Sequence, residues 1–63
     1  MSHITWEDAF CGEAANCFRI GIDSLGNAYI AVSGAEEYYV TDTRDALRAL
    51  IRDIKAGRVD HLL

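Results

Sequence analysis

The chain has no run of apolar residues approaching the roughly 20 needed to cross a bilayer. Its start, Met1-Ser2-His3-Ile4, has neither the basic nor the apolar region of a secretory signal. A cytoplasmic protein with no membrane contact is the expectation. Cysteine and histidine are scarce, with five residues between Cys11 and Cys17 and with His3 and His61 near opposite ends. Zinc needs more ligands than this spacing gathers, and a nucleophilic cysteine needs a base and an orienting group that cannot be named here. No metal, no cofactor, no catalytic residue and no enzyme activity are therefore expected. Without an export signal the two cysteines read as reduced thiols, Cys17 serving as a small buried hydrophobe on a strand. Positive charge is also short. Six Lys and Arg against ten Asp and Glu leave a net charge of -4, which argues against direct nucleic-acid binding by the surface as a whole, because counterion release needs clustered cations.

What is present suits one small folded domain. At 63 residues, 51% hydrophobic and 25% charged, the composition is that of an ordinary globular chain. So short a chain buries only roughly 60% of the surface exposed in its unfolded state, and self-association would add to its stability. The charge is uneven. Residues 1–43 set Glu7, Asp8, Glu13, Asp23, Glu36, Glu37 and Asp42 against Arg19 alone, whereas residues 44–63 set Arg44, Arg48, Arg52, Lys55 and Arg58 against Asp45, Asp53 and Asp60. An acidic front carries a basic back.

The pattern predicts an α+β fold over three stretches. Residues 1–16 form an arm without clear period, carrying Trp6 and Phe10. Residues 17–40 read as a three-stranded antiparallel meander. Phe18, Ile20 and Ile22 alternate with Cys17, Arg19 and Gly21, and Ala28, Ile30 and Val32 alternate with Tyr29, Ala31 and Ser33. Asp23 to Asn27 reads as the turn between them, and Gly34 to Glu37 turns the chain into a short third strand, Tyr38 to Val40. That strand would offer an unpaired edge to a partner.

Residues 41–63 form an amphipathic helix and tail. Thr41, Asp42 or Thr43 can cap the helix, and Asp42 and Asp45 suit the positive end of its dipole. Leu47, Leu50, Ile51 and Ile54 recur at helical spacing and are expected to pack on one face of the sheet. Gly57 stops the helix and lets Val59 fold back on it. At 100° per residue Arg44, Arg48, Arg52 and Lys55 share one narrow arc. The plain account of that stripe is a solvated outer face. The functional one is an electrostatic docking strip.

Phe18, Ile20, Ile22, Ala28, Ile30 and Val32 fill the sheet face that the helix is expected to cover. Opposite them, Cys17, Tyr29, Ala31 and either Tyr38 or Tyr39 leave an apolar, aromatic patch. Either the arm closes it with Trp6 and Phe10 or another chain does, as in a homodimer. Trp6, Tyr29, Tyr39 and the four cations of the helix stripe are thus the candidate partner-binding residues.

Trp6, Asn16-Cys17 opening a strand, Ile30-Ala31-Val32 in the next, Val40-Thr41 before a helix and Lys55-Ala56-Gly57-Arg58-Val59-Asp60 at its end resemble the actinobacterial domain of unknown function 397. The chain differs from that family's pattern at Glu7-Asp8-Ala9, Ser33-Gly34-Ala35 and Ala46. The resemblance implies a small intracellular protein of Streptomyces and relatives, encoded beside a helix-turn-helix regulator of the XRE type that it binds and modulates, in some cases antitoxin-like. It implies no enzyme activity and no cofactor. The resulting expectation is a non-enzymatic protein-binding regulator of transcription. The alternative is a homodimeric developmental regulator acting on DNA through its basic helix face.

Overall fold

The computed structural model describes residues 3–11 and 17–63. Four antiparallel strands run in chain order across one sheet: β1 (Thr5–Trp6), β2 (Phe18–Ile22), β3 (Asn27–Val32) and β4 (Val40–Thr43). A 3₁₀ turn at Glu36–Tyr38 precedes β4, helix α1 spans Arg44–Lys55, and a second 3₁₀ turn spans Asp60–Leu62. The fold is α+β, with one more strand than the three expected. The added strand is the arm itself. Thr5 and Trp6 pair with Ile22 and Gly21, and Glu7 N–H donates to Ile20 C=O at 2.8 Å. The Asn16 of the expected arm, like 12–15, lies outside the described residues.

The β2–β3 hairpin follows from its turn chemistry. Asp23 Oδ1 accepts from the Leu25 and Asn27 N–H groups at 2.9 and 3.0 Å, holding the turn while Gly26 takes a φ of 85° that a side chain would resist. The register sets Phe18 against Val32 and Ile20 against Ile30, so the alternation read from the sequence becomes two distinct faces. The third strand lies further along than expected. Tyr38 belongs to the 3₁₀ turn, and the strand is Val40–Thr43, pairing Ile30 with Val40 and Asn27 with Thr43.

Thr43 closes β4 and opens α1. Its hydroxyl accepts from Ala46 N–H at 3.1 Å, selecting one of the three expected caps. The helix ends at Lys55 and not in the tail: Gly57 N–H donates to Ile54 C=O and Arg58 N–H to Asp53 C=O, the paired bonds of a Schellman motif closed by a glycine at φ 82°.

No connecting loop separates β4 from α1, and this decides how the helix packs. It cannot turn fully back over the sheet, so its contacts are chiefly with β4 and β3. The expectation that α1 covers the Phe18 face is corrected accordingly. Phe18 is 65% and Val40 66% exposed, and Leu50, Ile51 and Ile54 are 40%, 41% and 49% exposed. The buried side chains are small, Cys17, Ala28 and Ala31, joined by Asp23, and three of these four lie on the opposite face.

The cysteines are also corrected. Cys11 and Cys17 form a disulfide, with Cα atoms 4.9 Å apart. The reason is local pairing. Phe10 sits opposite Phe18 across an antiparallel bridge, and continuing that register by one residue puts Cys11 across from Cys17.

Candidate interaction surfaces

The arm crosses from one face of the sheet to the other. Trp6 opposes Gly21 and Phe10 opposes Phe18, so four steps along the arm match three along β2. One extra residue between Trp6 and Phe10 inverts the alternation, as a bulge does. Trp6 therefore lies on the Tyr29 face and Phe10 on the Phe18 face. The two aromatics do not act together.

On the Tyr29 face, three of the candidate residues meet. The Trp6 and Tyr29 rings lie 6.3 Å apart, and Tyr29 meets Tyr39 edge to face at 4.9 Å. Gly21 makes the approach possible, since a Cβ there would fall 2.6 Å from Ile4 Cγ2 and 2.8 Å from Trp6 Cε3. Arg19 straps the cluster down. Its guanidinium sits 5.8 Å from the centre of the Trp6 ring, Nε donates to Glu7 C=O at 3.1 Å, and Nη1 donates to Glu36 Oε2 at 2.7 Å. That pairing, made by hydrogen bonding first, holds the Glu36 carboxyl below its usual range. Tyr29 donates its hydroxyl to Asp23 Oδ2 at 2.6 Å. The same bond is the largest reason that the Asp23 carboxyl is lowered to about 2, ahead of the Asn27 backbone N–H, and it raises the Tyr29 phenol. The chain's own arm thus lays Trp6 against Tyr29 on this patch, and Tyr39 stays 42% exposed.

Along α1, Arg48 Nη1 pairs with Asp45 Oδ1 at 3.0 Å, with both side chains largely exposed. Such a pair contributes little. Arg44 is half-buried at the helix start, where its N–H donates to Gly26 C=O at 2.9 Å. Arg52 and Lys55 are exposed, and neither side chain makes an ion pair among the described residues. All four cations share an arc of about 80°, bordered by Ile51 on the apolar stripe.

The remaining surface escaped the sequence reading because the helix was expected to hide it. Phe10, Phe18 and Val32 on one side of the sheet, Val40 at its edge, and Leu50, Ile51 and Ile54 on the helix are all at least 36% exposed. A cleft of ≈ 300 Å³ opens between Ile30 and Val40 of the sheet and Ala46, Leu47 and Leu50 of the helix. The apolar face and the basic stripe are continuous. Scattered exposed apolar residues are ordinary, whereas large contiguous apolar faces are commonly contact sites.

Among the described residues no three His, Cys, Asp or Glu side chains gather as a metal site, and no helix is long and apolar enough to cross a membrane. No protein-family model, curated protein or solved structure matches the chain.

Proposed function

We propose that this chain is a non-enzymatic protein-binding regulator that docks on a helix-turn-helix transcription factor and modulates it, in the manner of an antitoxin. The observation that carries the reading is the apolar face left open between β4 and α1 and bordered by a basic stripe. Such a surface suits protein contact: its apolar part supplies burial and its charged rim supplies steering and register. The helix-turn-helix partner comes from the resemblance in Trp6, Ile30-Ala31-Val32 and the Lys55 to Asp60 segment.

We place the chain in the cytoplasm beside its regulator. In that compartment the glutathione pool opposes the Cys11–Cys17 bond, and the arm is then held by its strand pairing and by Arg19. The alternative, direct action on DNA as a homodimer, draws on the aligned Arg44, Arg48, Arg52 and Lys55. Four cations on a chain of net charge -4 release few counterions, so affinity for duplex near physiological salt should be slight.

Co-expression with the neighbouring regulator tests the reading. A complex should co-purify at low salt and weaken as salt is added, since charge steering is screened beyond roughly 10 Å at 0.1 M. Failure to co-purify at low salt removes the proposal. A specific gel shift by the pure chain, abolished in Arg48→Glu, would favour the DNA-binding alternative.

A further inference from the structure

We infer that the Cys11–Cys17 bond is a reversible redox latch, which when oxidised fixes Phe10 on the contact face and when reduced lets it go. The inference rests on reading that face as the regulator's docking surface, and it adds how docking is controlled.

The arm is held in two unequal halves. Its first half pairs Thr5 and Trp6 with β2, bonds Glu7 N–H to Ile20 C=O, seats Ile4 and Trp6 close on Gly21 and lies against the Arg19 guanidinium. No cysteine takes part in any of these contacts. The second half hangs on a single bridge to Phe18, with Phe10 N–H donating to Phe18 C=O at 2.8 Å, and on the disulfide one residue further on. Phe10 is 60% exposed, so burial adds little to hold it there.

The two cysteines are unequal as well. Cys17 is buried, and its C=O accepts from Ser33 N–H at 2.7 Å, which ties it to the end of the β2–β3 hairpin. Cys11 is exposed. Thiols from solution are therefore directed to the Cys11 sulfur, and disulfides open to solvent belong to the labile class. Adjacent strand residues point to opposite faces, so the bond lies on the Tyr29 side and governs Phe10 on the other without occupying the docking surface.

The ladder makes the bond quick to re-form. Phe10 and Phe18 form a hydrogen-bonded pair, so the next pair, Cys11 and Cys17, is the closer, non-hydrogen-bonded kind. Their Cα separation of 4.9 Å lies inside the range that a disulfide takes. Each time the reduced arm pairs with β2, its thiol is returned to Cys17. With only five residues between the cysteines, the bond constrains the unfolded chain far less than one closing a long loop, and the fold does not depend on it.

Glutathione supplies both directions of the exchange. In opening, a glutathione thiolate attacks Cys11 Sγ, and Cys17 leaves as a thiolate that takes a proton. A second glutathione thiolate then attacks the glutathione sulfur of the mixed disulfide, releasing Cys11 and glutathione disulfide. Two electrons pass from two glutathiones to the protein bond. In closing, the Cys11 thiolate attacks glutathione disulfide and expels one glutathione, and the Cys17 thiolate attacks Cys11 Sγ and expels the other, the two thiol protons passing to the leaving groups.

The whole chain equilibrated in buffers of graded reduced-to-oxidised glutathione tests this, with alkylation and mass spectrometry reading the bond and amide exchange reading Phe10. Excess reduced glutathione should open the bond, and glutathione disulfide should restore it. Exchange at Phe10 should be at least about ten-fold faster in the open form, with Glu7 unchanged. The oxidised chain should bind the regulator at least about five-fold more tightly, because Phe10 then belongs to the contact. Cys11→Ser, at an exposed position, should bind like the reduced chain in either buffer, which separates the latch from any thiol of the regulator. A bond that survives excess reduced glutathione, or Phe10 exchange that is the same in both forms, overturns the inference whatever the regulator does. A regulator that binds both forms equally overturns the control of docking and leaves the proposed function standing. A regulator that binds neither form, while Phe10 exchange follows the bond, removes the proposed function and leaves the latch.

Discussion

The Tyr29 hydroxyl reaches 2.6 Å from Asp23 Oδ2, and through this bond the turn between β2 and β3 is tied to the aromatic cluster beneath it. Asp23 ordinarily titrates at 3.8 and is lowered in the fold to about 2. A lowered carboxyl contributes stability above its unfolded pKa and loses it as pH falls through the folded value. Glu36, lowered by Arg19, acts in the same sense. Thermal stability should therefore be level near neutrality and fall from about pH 4 towards about 2. Tyr29→Phe should shrink that acid-side slope while leaving the slope from Glu36. A melting profile in Tyr29→Phe as steep as in the wild type would show that the bond does not set the Asp23 pKa.

Gly21→Ala should displace the arm. Its Cβ would stand inside contact distance of Ile4 and Trp6, and overpacking of this kind costs about 1–3 kcal/mol. Trp6 fluorescence should shift towards that of a solvated indole, because the close approach to Gly21 is what seats Ile4 and Trp6 on the sheet. Unaltered Trp6 emission and stability would mean that the arm rests elsewhere.

Thr43→Ala should lower stability by about 1 kcal/mol, the usual cost of losing an N-cap side chain. Thr43→Ser keeps the hydroxyl and should recover most of it. Urea titration followed by far-ultraviolet dichroism reads both.

Reduction of Cys11–Cys17 should cost about 2 kcal/mol, as expected for so short a loop. The effect should be local. Amide exchange near Phe10, which hangs on a single bridge to Phe18, should quicken on reduction, whereas exchange at Glu7, bonded to Ile20, should change little. Equal acceleration at both amides would show that the disulfide holds the entire arm.

Much of the fold was legible in local chemistry. The alternation of Phe18 to Ile22 and Ala28 to Val32, the turn at Asp23 to Gly26, the Thr43 cap and the stop at Gly57 each announce themselves in a few adjacent residues. The errors concern contacts between distant segments. β1 is two residues long and has no period to read, and the extra residue before Phe10 gives no sign in composition. The disulfide was missed because compartment says nothing about register, which is what brings Cys11 to Cys17. The packing of the helix was misread for a single geometrical reason. An amphipathic stripe at Leu47, Leu50, Ile51 and Ile54 shows that the helix has an apolar face, but not that a chain passing directly from Thr43 to Arg44 can turn this face onto its own sheet. Of the aromatic residues expected to meet a partner, Trp6 is held by its approach to Gly21 and by Arg19, while Tyr39 stays exposed.

The central claim is that the face carrying Phe10, Phe18 and Val40 is covered in the working protein. Hydroxyl-radical footprinting with residue-level mass spectrometry measures this directly. Leu25, 74% exposed at the hairpin turn, serves as the internal reference. Phe10 and Phe18 should label readily in the free chain and several-fold less when it is bound to its regulator, with Leu25 constant. If Phe10 and Phe18 label undiminished in the regulator complex, the face is not an interface and the account is wrong.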